Sequence, residues 1–404
     1  MPPNDKRHTL SIFLIFLRLG LTSFGGPVAH LAFFRDEFVV RRSWLSESSY
    51  AELVALCQFL PGPASSQVGM ALGMSRGGYR GALAAWAGFT LPSAIILTLL
   101  ALGMTSNTLP QTEGIVKALK LMTVAVVVQA VYGMARQHCA SFSRAVLMLI
   151  ACGWVISLPQ TWAQVAVMIG AALAGIWLFK PTPIQPAESL PIPLSTQAGA
   201  RWLGVFFLLL IGLPLLGAAC TELFSPGSLW AQIEVFYRVG ALVFGGGHVV
   251  LPLLQGEVVD SGWIASDSFV AGYGAAQAMP GPLFSFAAFV GAAMNADAGT
   301  GWGWAGALIC LSAMFAPSFL LIAGVLPFWA NLRVNPTVRA ALIGVNAAVV
   351  GLLLAALYRP VWASAVDGLI DVAFVLLGLI ALIVWKRPPW QVVLASVVVG
   401  WFAG

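Results

Sequence analysis

Long apolar segments without a single acidic or basic residue recur along the 404-residue chain. A helix needs about 20 such residues to cross the roughly 30 Å hydrocarbon core of a bilayer. We expect residues 145–179 to form two helices divided at Leu158-Pro159-Gln160, and residues 298–332 to form one helix followed by a loop. Four further segments fit a single crossing each, at residues 81–104, 202–221, 340–358 and 388–404. The pattern predicts an all-α polytopic membrane protein.

Composition supports this class and excludes others. Hydrophobic residues make up 59% of the chain and charged residues 9%, whereas soluble domains are about a quarter charged. The net charge of +5 does not indicate a nucleic-acid partner, because Lys and Arg collect on the cytoplasmic side of membrane proteins. The N-terminus lacks the pattern of a cleaved signal peptide, so we expect the first apolar segment to be retained. The five cysteines have no Cys-x-x-Cys spacing, and we predict no disulfide framework, metal or other cofactor.

The second half of the chain repeats the first. At a shift of 220 residues, Phe16, Arg18, Gly20, Phe24, Gly25, Gly26, Leu31 and Glu37 align with Phe236, Arg238, Gly240, Phe244, Gly245, Gly246, Leu251 and Glu257. At a shift of 219, Trp44, Gln58, Pro61, Gly62, Pro63 and Ser66 align with Trp263, Gln277, Pro280, Gly281, Pro282 and Ser285. Further along, Pro92-Ser93 aligns with Pro317-Ser318. Apolar composition alone would not align Arg, Gln, Trp and Pro-Gly-Pro, so we infer a duplication.

The repeat divides the chain into four parts. They are an N-terminal transporter repeat at residues 1–180, a Pro-rich linker at 181–200, an extra transmembrane helix at 201–227 and a C-terminal repeat at 228–404. The extra helix adds one crossing, so the second repeat begins on the opposite side of the membrane from the first.

Charge supports this inversion. If residues 8–40 and 49–75 are hairpins that enter and leave on one side, most of the 20 Lys and Arg residues lie inside. The exceptions outside are Lys117, Lys120 and Arg359. The first loops of the second repeat are acidic where those of the first are basic, which is typical of inverted-topology repeats.

Pro61-Gly62-Pro63 and Pro280-Gly281-Pro282 interrupt apolar segments at matching places. Proline removes a backbone donor and clashes with the preceding turn, yet it fits the first turn of a helix. Each motif therefore predicts the end of one half-helix and the start of another at membrane depth. The free N–H groups of such a start attract anions. The first start carries Ala64, Ser65, Ser66 and Gln67, and the second carries Leu283, Phe284, Ser285 and Phe286. A packing kink is the alternative interpretation.

Two glycine pairs, Gly25-Gly26 and Gly245-Gly246, predict a second set of breaks at the hairpin turns. Glycine permits left-handed turns and close backbone approach. Either ligand contact or tight hairpin packing accounts for them. They do not form a nucleotide-binding phosphate loop, because the chain contains no Gly-Lys dipeptide.

Arg18 and Arg238 lie within apolar segments, where an arginine costs about 2.5–3.5 kcal/mol on insertion scales and requires a partner or a cavity. The repeat offers Glu37 and Glu257 as protein partners. Alternatively, the guanidinium groups face a doubly charged oxyanion, which suits their donor geometry.

Other polar residues near the breaks complete the set of candidates. Gln58 and Gln277 precede each Pro-Gly-Pro motif and offer amide donors. His30 and His248 lie beside the hairpin turns, where proton coupling and an ordinary core role are both open. The predicted substrate-binding residues are Arg18, Gly25, Gly26, Gln58, Gly62, Ser65, Ser66, Gln67, Arg238, Gly245, Gly246, Gln277, Gly281 and Ser285, and the candidate coupling residues are His30, Glu37, His248 and Glu257.

These motifs resemble the chromate ion transporter family in its long, two-domain form. The resemblance rests on Phe24-Gly25-Gly26-Pro27 with His30, on the stretch from Cys57 to Gly69, and on their second-half counterparts, and it runs from about residue 8 to residue 400. It implies chromate efflux across the bacterial inner membrane, with sulfate as a competing analogue.

Energetics permits export without ATP. A membrane potential of 100 mV is worth about 2.3 kcal/mol per charge, or about 4.6 kcal/mol for a dianion leaving a negative interior. The sequence therefore favours an exporter driven by the membrane potential or a proton gradient. Sulfate or other oxyanion uptake by cation symport is the alternative. A membrane enzyme is a third hypothesis, but we find no catalytic set of residues to support it.

Overall fold

A computed structural model of the protein describes residues 6–105, 112–158, 161–181, 194–225, 227–244 and 247–403. Every regular element in these ranges is a helix, and five helices are long and apolar enough to cross a membrane. The all-α, multi-pass prediction is confirmed. The helices are α1 (Lys6–Thr22), α2 (Gly26–Arg35), α3 (Glu47–Phe59), α4 (Ala64–Thr105), α5 (Thr112–His138), α6 (Phe142–Ser157), α7 (Thr161–Leu178), α8 (Thr196–Ala219), α9 (Leu229–Leu242), α10 (Val250–Val258), α11 (Ser266–Ala278), α12 (Phe286–Asn295), α13 (Thr300–Val325), α14 (Trp329–Leu332), α15 (Pro336–Ala356), α16 (Ala363–Ala365), α17 (Leu369–Leu379) and α18 (Pro389–Ala403).

The first two helices form a hairpin. The Phe16 ring of α1 contacts the ring of Phe34 in α2 at 5.6 Å, and it stacks on Phe38, in the π-helical turn that follows α2, at 5.0 Å. Residues equally far from the turn at residues 23–25 are thus opposite each other. The chain enters and leaves this hairpin on the same side.

The second hairpin consists of α3 and the first part of α4. The Arg76 guanidinium lies 5.1 Å from the centre of the Trp44 ring. Because Trp44 comes just before α3, the helical segment 64–76 runs back along α3 and ends near its beginning. Gly77 and Gly78 then leave helical geometry, with φ of −131° and +57°, and residues 79–105 form a separate crossing helix. Proline and glycine at residues 61–63 end α3 at Phe59, as predicted.

The second half contains the same two hairpins. Arg238 of α9 pairs with Glu257 of α10 across the first of them. Phe269 and Tyr273 of α11 contact the ring of Phe286 in α12 across the second, at 5.1 and 5.6 Å. Four interrupted segments therefore form re-entrant hairpins, and the two Pro-Gly-Pro turns are buried in the protein.

The two halves run in opposite directions. Residues 79–105 of α4 and the whole of α13 are equivalent in the repeat, and they pack antiparallel. Tyr79 contacts Phe319 at 6.1 Å and Trp86 contacts Phe315 at 5.8 Å. At the far end, a Cβ on Gly303 would lie 2.6 Å from the Leu102 side chain. Equivalent helices that are antiparallel establish the inverted repeat.

Ion pairs join the halves at both ends of the helices that cross between them. Glu52, near the open end of the α3 hairpin, pairs with Arg333 beyond the far end of α13. Lys120 of α5 pairs with Asp267, at the open end of the α11 hairpin, at 2.7 Å. Lys120 and its neighbour Lys117 were exceptions to the predicted cytoplasmic clustering of cations. Both lysines form ion pairs with aspartates of the second half.

The remaining helices are exchanged between the halves. Helix α5 of the first half packs against α17 and α18 of the second, while α15 of the second packs against α6 and α7 of the first. Small residues allow this close approach. A Cβ on Gly400 would lie 2.5 Å from the Gly114 carbonyl oxygen.

Helix α8 begins at Thr196, earlier than the predicted start at residue 201. The Ser195 side chain accepts a hydrogen bond from the Ala198 N–H at 3.2 Å, which caps the helix inside the segment assigned to the linker. Trp202 donates a hydrogen bond to the Tyr79 hydroxyl at 2.9 Å, so the extra helix lies against the crossing part of α4. Residues 182–193 of the linker lie outside the described ranges.

The inverted arrangement can be tested by labelling. We expect Ser48→Cys and Ser261→Cys, each in a chain whose five native cysteines are replaced, to react with a membrane-impermeant maleimide from opposite sides. Both serines are exposed at the open ends of hairpins that belong to different halves. Intact cells and inverted vesicles provide the two sides. Labelling of both variants from the same side would contradict the inversion.

Candidate functional site

The turns of the hairpins meet between the halves. The Gly62 N–H donates a hydrogen bond to the Val243 carbonyl at 2.7 Å, and the Gly281 N–H donates one to the Ser23 carbonyl at 3.0 Å. These contacts are equivalent under the repeat, so each Pro-Gly-Pro motif closes against the first hairpin of the other half. Both glycines have positive φ, +112° and +91°, which L side chains rarely adopt.

Helix α4 begins at this junction with unsatisfied backbone donors. The Gln67 N–H reaches the Pro63 carbonyl at 2.9 Å, so Pro63 occupies the capping position. Proline has no side-chain acceptor that could cap the helix, and the N–H groups of residues 64–66 have no partner within it. The Ser65 and Ser66 side chains are buried here, each 2% exposed. The site therefore combines convergent donors with the positive end of a helix dipole.

Five buried polar side chains around this helix start carry an atom with no hydrogen-bond partner among the described residues. His30 approaches the Ser65 hydroxyl with Nδ1 at 3.3 Å, and its ring contacts Phe89 at 5.2 Å, next to Thr90. Leaving a buried polar atom unpaired costs about 1–3 kcal/mol. Several together mark a place that receives a polar ligand or water. The unpartnered atoms are Ser23 Oγ, His30 Nε2, Ser66 Oγ, Gln67 Oε1 and Thr90 Oγ1.

The corresponding place in the second half has no such set among the described residues. His248 Nδ1 lies 2.9 Å from the Tyr273 hydroxyl and 3.3 Å from the Gln277 amide nitrogen. Ser285 Oγ lies 2.7 Å from Ser93 Oγ. Aromatic residues take the positions of the first-half polar groups: Phe284 for Ser65, Phe286 for Gln67 and Phe315 for Thr90. The first half thus holds the unpartnered polar groups, and aromatic rings occupy the equivalent positions in the second half.

The two arginines have different environments. Arg238 contacts both Glu234 and Glu257, each at 2.5 Å, so its charge is already neutralised. Glu257 is the partner that the repeat suggested, and Glu234 was not foreseen. In the first half Leu14 stands at the position of Glu234.

The predicted Arg18–Glu37 pair is wrong. Glu37 lies instead against Arg41 and Arg42, at 3.3 and 2.7 Å, because the π-helical turn after α2 brings these arginines back over its carboxylate. Arg18 is exposed on α1, one turn before the hairpin turn, and has no carboxylate partner among the described residues. It does not join the buried cluster.

Of the other sequence candidates, Gly25, Gly26 and Gln58 lie among the described residues. Gly25 and Gly26 form the turn before α2, with φ of +103° and +78°. Gln58 is exposed on α3 and lies apart from the buried groups. Gly245 and Gly246 lie outside the described residues. Within the described ranges, no group of three or more His, Cys, Asp or Glu side chains is placed to hold a metal ion.

Sequence reasoning missed several residues at the junction. Ser23 and Thr90 have apolar equivalents, Val243 and Phe315, so a search for shared residues passes over them. Ser318 was visible in the repeat, and its hydroxyl lies 3.5 Å from the Gln67 amide. Polar residues present in only one half were the signal that would have found the rest.

Comparisons with known proteins agree with the repeat. The sequence model of the chromate transporter family, described as "Chromate transporter", matches residues 10–176 and again residues 230–401. The two matches correspond to the two inverted halves. No solved structure is significantly similar to the chain.

Three curated proteins are similar over nearly the whole chain. A protein of Methanocaldococcus jannaschii named as an uncharacterized transporter is 28% identical, covering 99% of this chain and 96% of its own length. A "Probable chromate transport protein" of Synechococcus elongatus is 28% identical, with coverage of 92% and 88%. A "Chromate transport protein" of Pseudomonas aeruginosa is also 28% identical, with coverage of 96% and 91%.

We expect Gly62→Ala to destabilise the junction more than Gly262→Ala. Both glycines have positive φ, and alanine there costs about 1–2 kcal/mol. At Gly62 the new Cβ would also lie 2.5 Å from Ser318 Oγ and 2.8 Å from Gln67 Nε2, whereas Gly262 has nothing within 4 Å. Thermal unfolding of the purified variants checks this. Equal midpoints would show that the junction is loosely packed.

Arg238→Ala is expected to reduce the yield of folded protein, because it leaves two carboxylates buried without a cation. Breaking such a buried pair costs about 3–5 kcal/mol. Glu234→Gln and Glu257→Gln, added together, should restore the yield. Arg18→Ala, which breaks no ion pair, is the control. Fluorescence-detected size-exclusion chromatography measures all three, and an unchanged yield for Arg238→Ala alone would contradict a structural role.

Proposed function

Because the chain belongs to the chromate transporter family, we propose that it carries chromate through the buried polar cluster at the start of α4. The observation that carries this proposal is the set of five unpartnered polar atoms on residues that adjoin the start of α4, where the backbone N–H groups have no partner within the helix. The equivalent place in the second half is filled by aromatic rings. A single site on the first-half side of the junction follows from that difference.

The cluster suits a tetrahedral dianion. The N–H groups of residues 64–66 and the hydroxyls of Ser23, Ser66 and Thr90 are donors to oxygen. Hydrogen bonds to charged groups contribute about 1.5–3 kcal/mol each, so a few of them offset much of the cost of removing water from the ion. Chromate and sulfate share this shape and charge, and we expect sulfate to compete.

Transport requires the site to open to each side in turn. The hairpins of the first half open on one side of the membrane and those of the second half on the other, and their turns are joined by the Gly62–Val243 and Gly281–Ser23 hydrogen bonds. Breaking one of these contacts while the other persists would expose the cluster to one side only. Rocking of one repeat against the other is the usual motion of inverted-repeat carriers.

We assign two further residues from their positions. Arg18 is exposed one turn before the first hairpin turn, where its charge draws anions toward the junction. His30 contacts Ser65 and is the titratable side chain within the cluster, so it is our candidate for proton coupling. His248, held by Tyr273 and Gln277, has a structural role in this scheme.

The direction that we propose is export across the bacterial inner membrane. A potential of 100 mV favours the exit of a dianion by about 4.6 kcal/mol, which is roughly a thousandfold gradient. Such a carrier needs no nucleotide, and it confers chromate resistance on the cell. Uptake of sulfate with a coupled cation is the alternative, and the direction of flux under an imposed voltage decides between them.

Thr90→Val should reduce voltage-driven chromate flux about tenfold or more, because it removes one donor to a charged ligand and keeps the side-chain shape. Thr98→Val is the matched control on the same helix. Both threonines are buried, 0% and 1% exposed, but the Thr98 hydroxyl already donates to the Ala94 carbonyl at 2.8 Å. Proteoliposomes with a potassium gradient and an ionophore measure the flux.

Equal flux in the two variants would remove Thr90 and the cluster from the pathway. Flux that is driven inward by an inside-negative voltage would contradict export by potential. Competition by sulfate in the wild type tests the shared chemistry of the site.

A further inference from the structure

A cavity lined by cations lies at the ends of the exchanged helices. Its volume is about 380 Å³, and Arg144, Phe179, Lys180 and Arg339 line it together with aliphatic side chains. Arg144 lies in the first turn of α6, Lys180 follows α7, and Arg339 lies in the first turn of α15. Both halves contribute to the cavity, which we name the basic pocket.

The basic pocket is remote from the junction. Helix α15 begins just after Arg333, whose contact with Glu52 places it at the open end of the first-half hairpins. The Pro-Gly-Pro turns are buried against the opposite half, whereas the basic pocket lies where α6 and α15 begin and α7 ends. Our assignment of the first-half hairpins puts this surface on the cytoplasmic side. The transport cluster and the basic pocket are therefore separate sites.

Two cations of the basic pocket, Arg144 and Lys180, have no carboxylate partner among the described residues. The lining contains three cations and no acidic residue. Like charges around one cavity repel one another, so an anion that enters it relieves the repulsion. The N-terminus of α6, whose Ser141 makes no capping hydrogen bond with its side chain, adds partial positive charge at the same place.

Arg144 is held in a position suited to binding. Its guanidinium lies 5.4 Å from the centre of the Phe179 ring, and this cation–π contact restricts the position of the side chain. Its Nε is buried and has no hydrogen-bond partner among the described residues. An arginine fixed in this way presents a fork of donors that matches two oxygens of a phosphate or sulfate group.

We propose that the basic pocket is a second oxyanion site, which binds a phosphate-type group. The group is either the headgroup of an anionic phospholipid or a free tetrahedral anion, since both present the same oxygens to Arg144, Lys180 and Arg339. Basic pockets between transmembrane helices at the cytoplasmic surface bind lipid headgroups in this way. Occupancy ties α6 and α7 of the first half to α15 of the second.

The test compares Arg144→Gln with Arg201→Gln, an exposed arginine at the start of α8 that does not line the cavity. Both are made in a Thr90→Val background, which weakens the transport cluster. In one arm, native mass spectrometry counts phosphatidylglycerol retained from mixed nanodiscs. In the other, inorganic phosphate is titrated against thermal unfolding in neutral nanodiscs.

We expect Arg201→Gln to retain binding in one arm and Arg144→Gln to weaken it about tenfold or more in that arm. A difference in the phosphatidylglycerol arm identifies a lipid headgroup as the ligand, and a difference in the inorganic phosphate arm identifies a free anion. Equal behaviour of the two variants in both arms would overturn the proposal. If Arg144→Gln does not fold, Lys180→Gln is compared with Arg201→Gln instead, because Lys180 is exposed. Weaker binding in one arm would again support the proposal, and equal binding in both arms would overturn it.

Discussion

Two backbone hydrogen bonds across the interface between the halves allow helices to end in the middle of this protein. In a membrane, a backbone group without a partner costs several kcal/mol, so a broken helix needs a donor or acceptor from elsewhere. Gly62 and Gly281 supply the donors, and the carbonyls of Val243 and Ser23 in the opposite halves accept them. Because each half completes the other, neither set of hairpins would be stable at this depth alone. The interrupted helices of each half thus depend on hydrogen bonds that the inverted repeat provides.

Differences between the halves then decide where chemistry is possible. Both halves have a Pro-Gly-Pro motif at the junction, but phenylalanines of the second half occupy the positions equivalent to Ser65, Gln67 and Thr90. The aromatic rings of the second half pack against one another, as Phe284 and Phe315 do at 6.0 Å. The first half retains polar groups that have no partner among the described residues. Symmetry accounts for the frame of the junction, and the differences between the halves account for the unpartnered polar atoms of the first half.

Much of the frame could be predicted from the sequence. The Pro-Gly-Pro pairs located both breaks, and the change from basic to acidic loops gave the inversion, because each depends on residue identity alone. The partners of Arg18 and Arg238 could not be predicted equally well. Glu234 lies one helical turn from Arg238, but it has no equivalent in the first half and so was missed.

Contacts that depend on the direction in which a helix face points could not be predicted from the sequence. The π-helical turn at Asp36–Arg41 directs Arg41 and Arg42 onto Glu37, which leaves Arg18 on the exposed face of α1. No spacing rule for an α-helix anticipates that turn. Likewise, Ser23 and Thr90 are separated by more than sixty residues, and only the packing of α1 on α4 gathers them at one junction.

A structure determined with bound chromate, with the anomalous signal of chromium to locate the ion, would test the account most directly. We predict one chromium peak beside the start of α4, with the chromate oxygens within hydrogen-bonding distance of the N–H groups of residues 64–66 and of the Ser66 and Thr90 hydroxyls. A peak against the phenylalanines of the second half, or an ion bound to Arg238 in place of its glutamates, would contradict it.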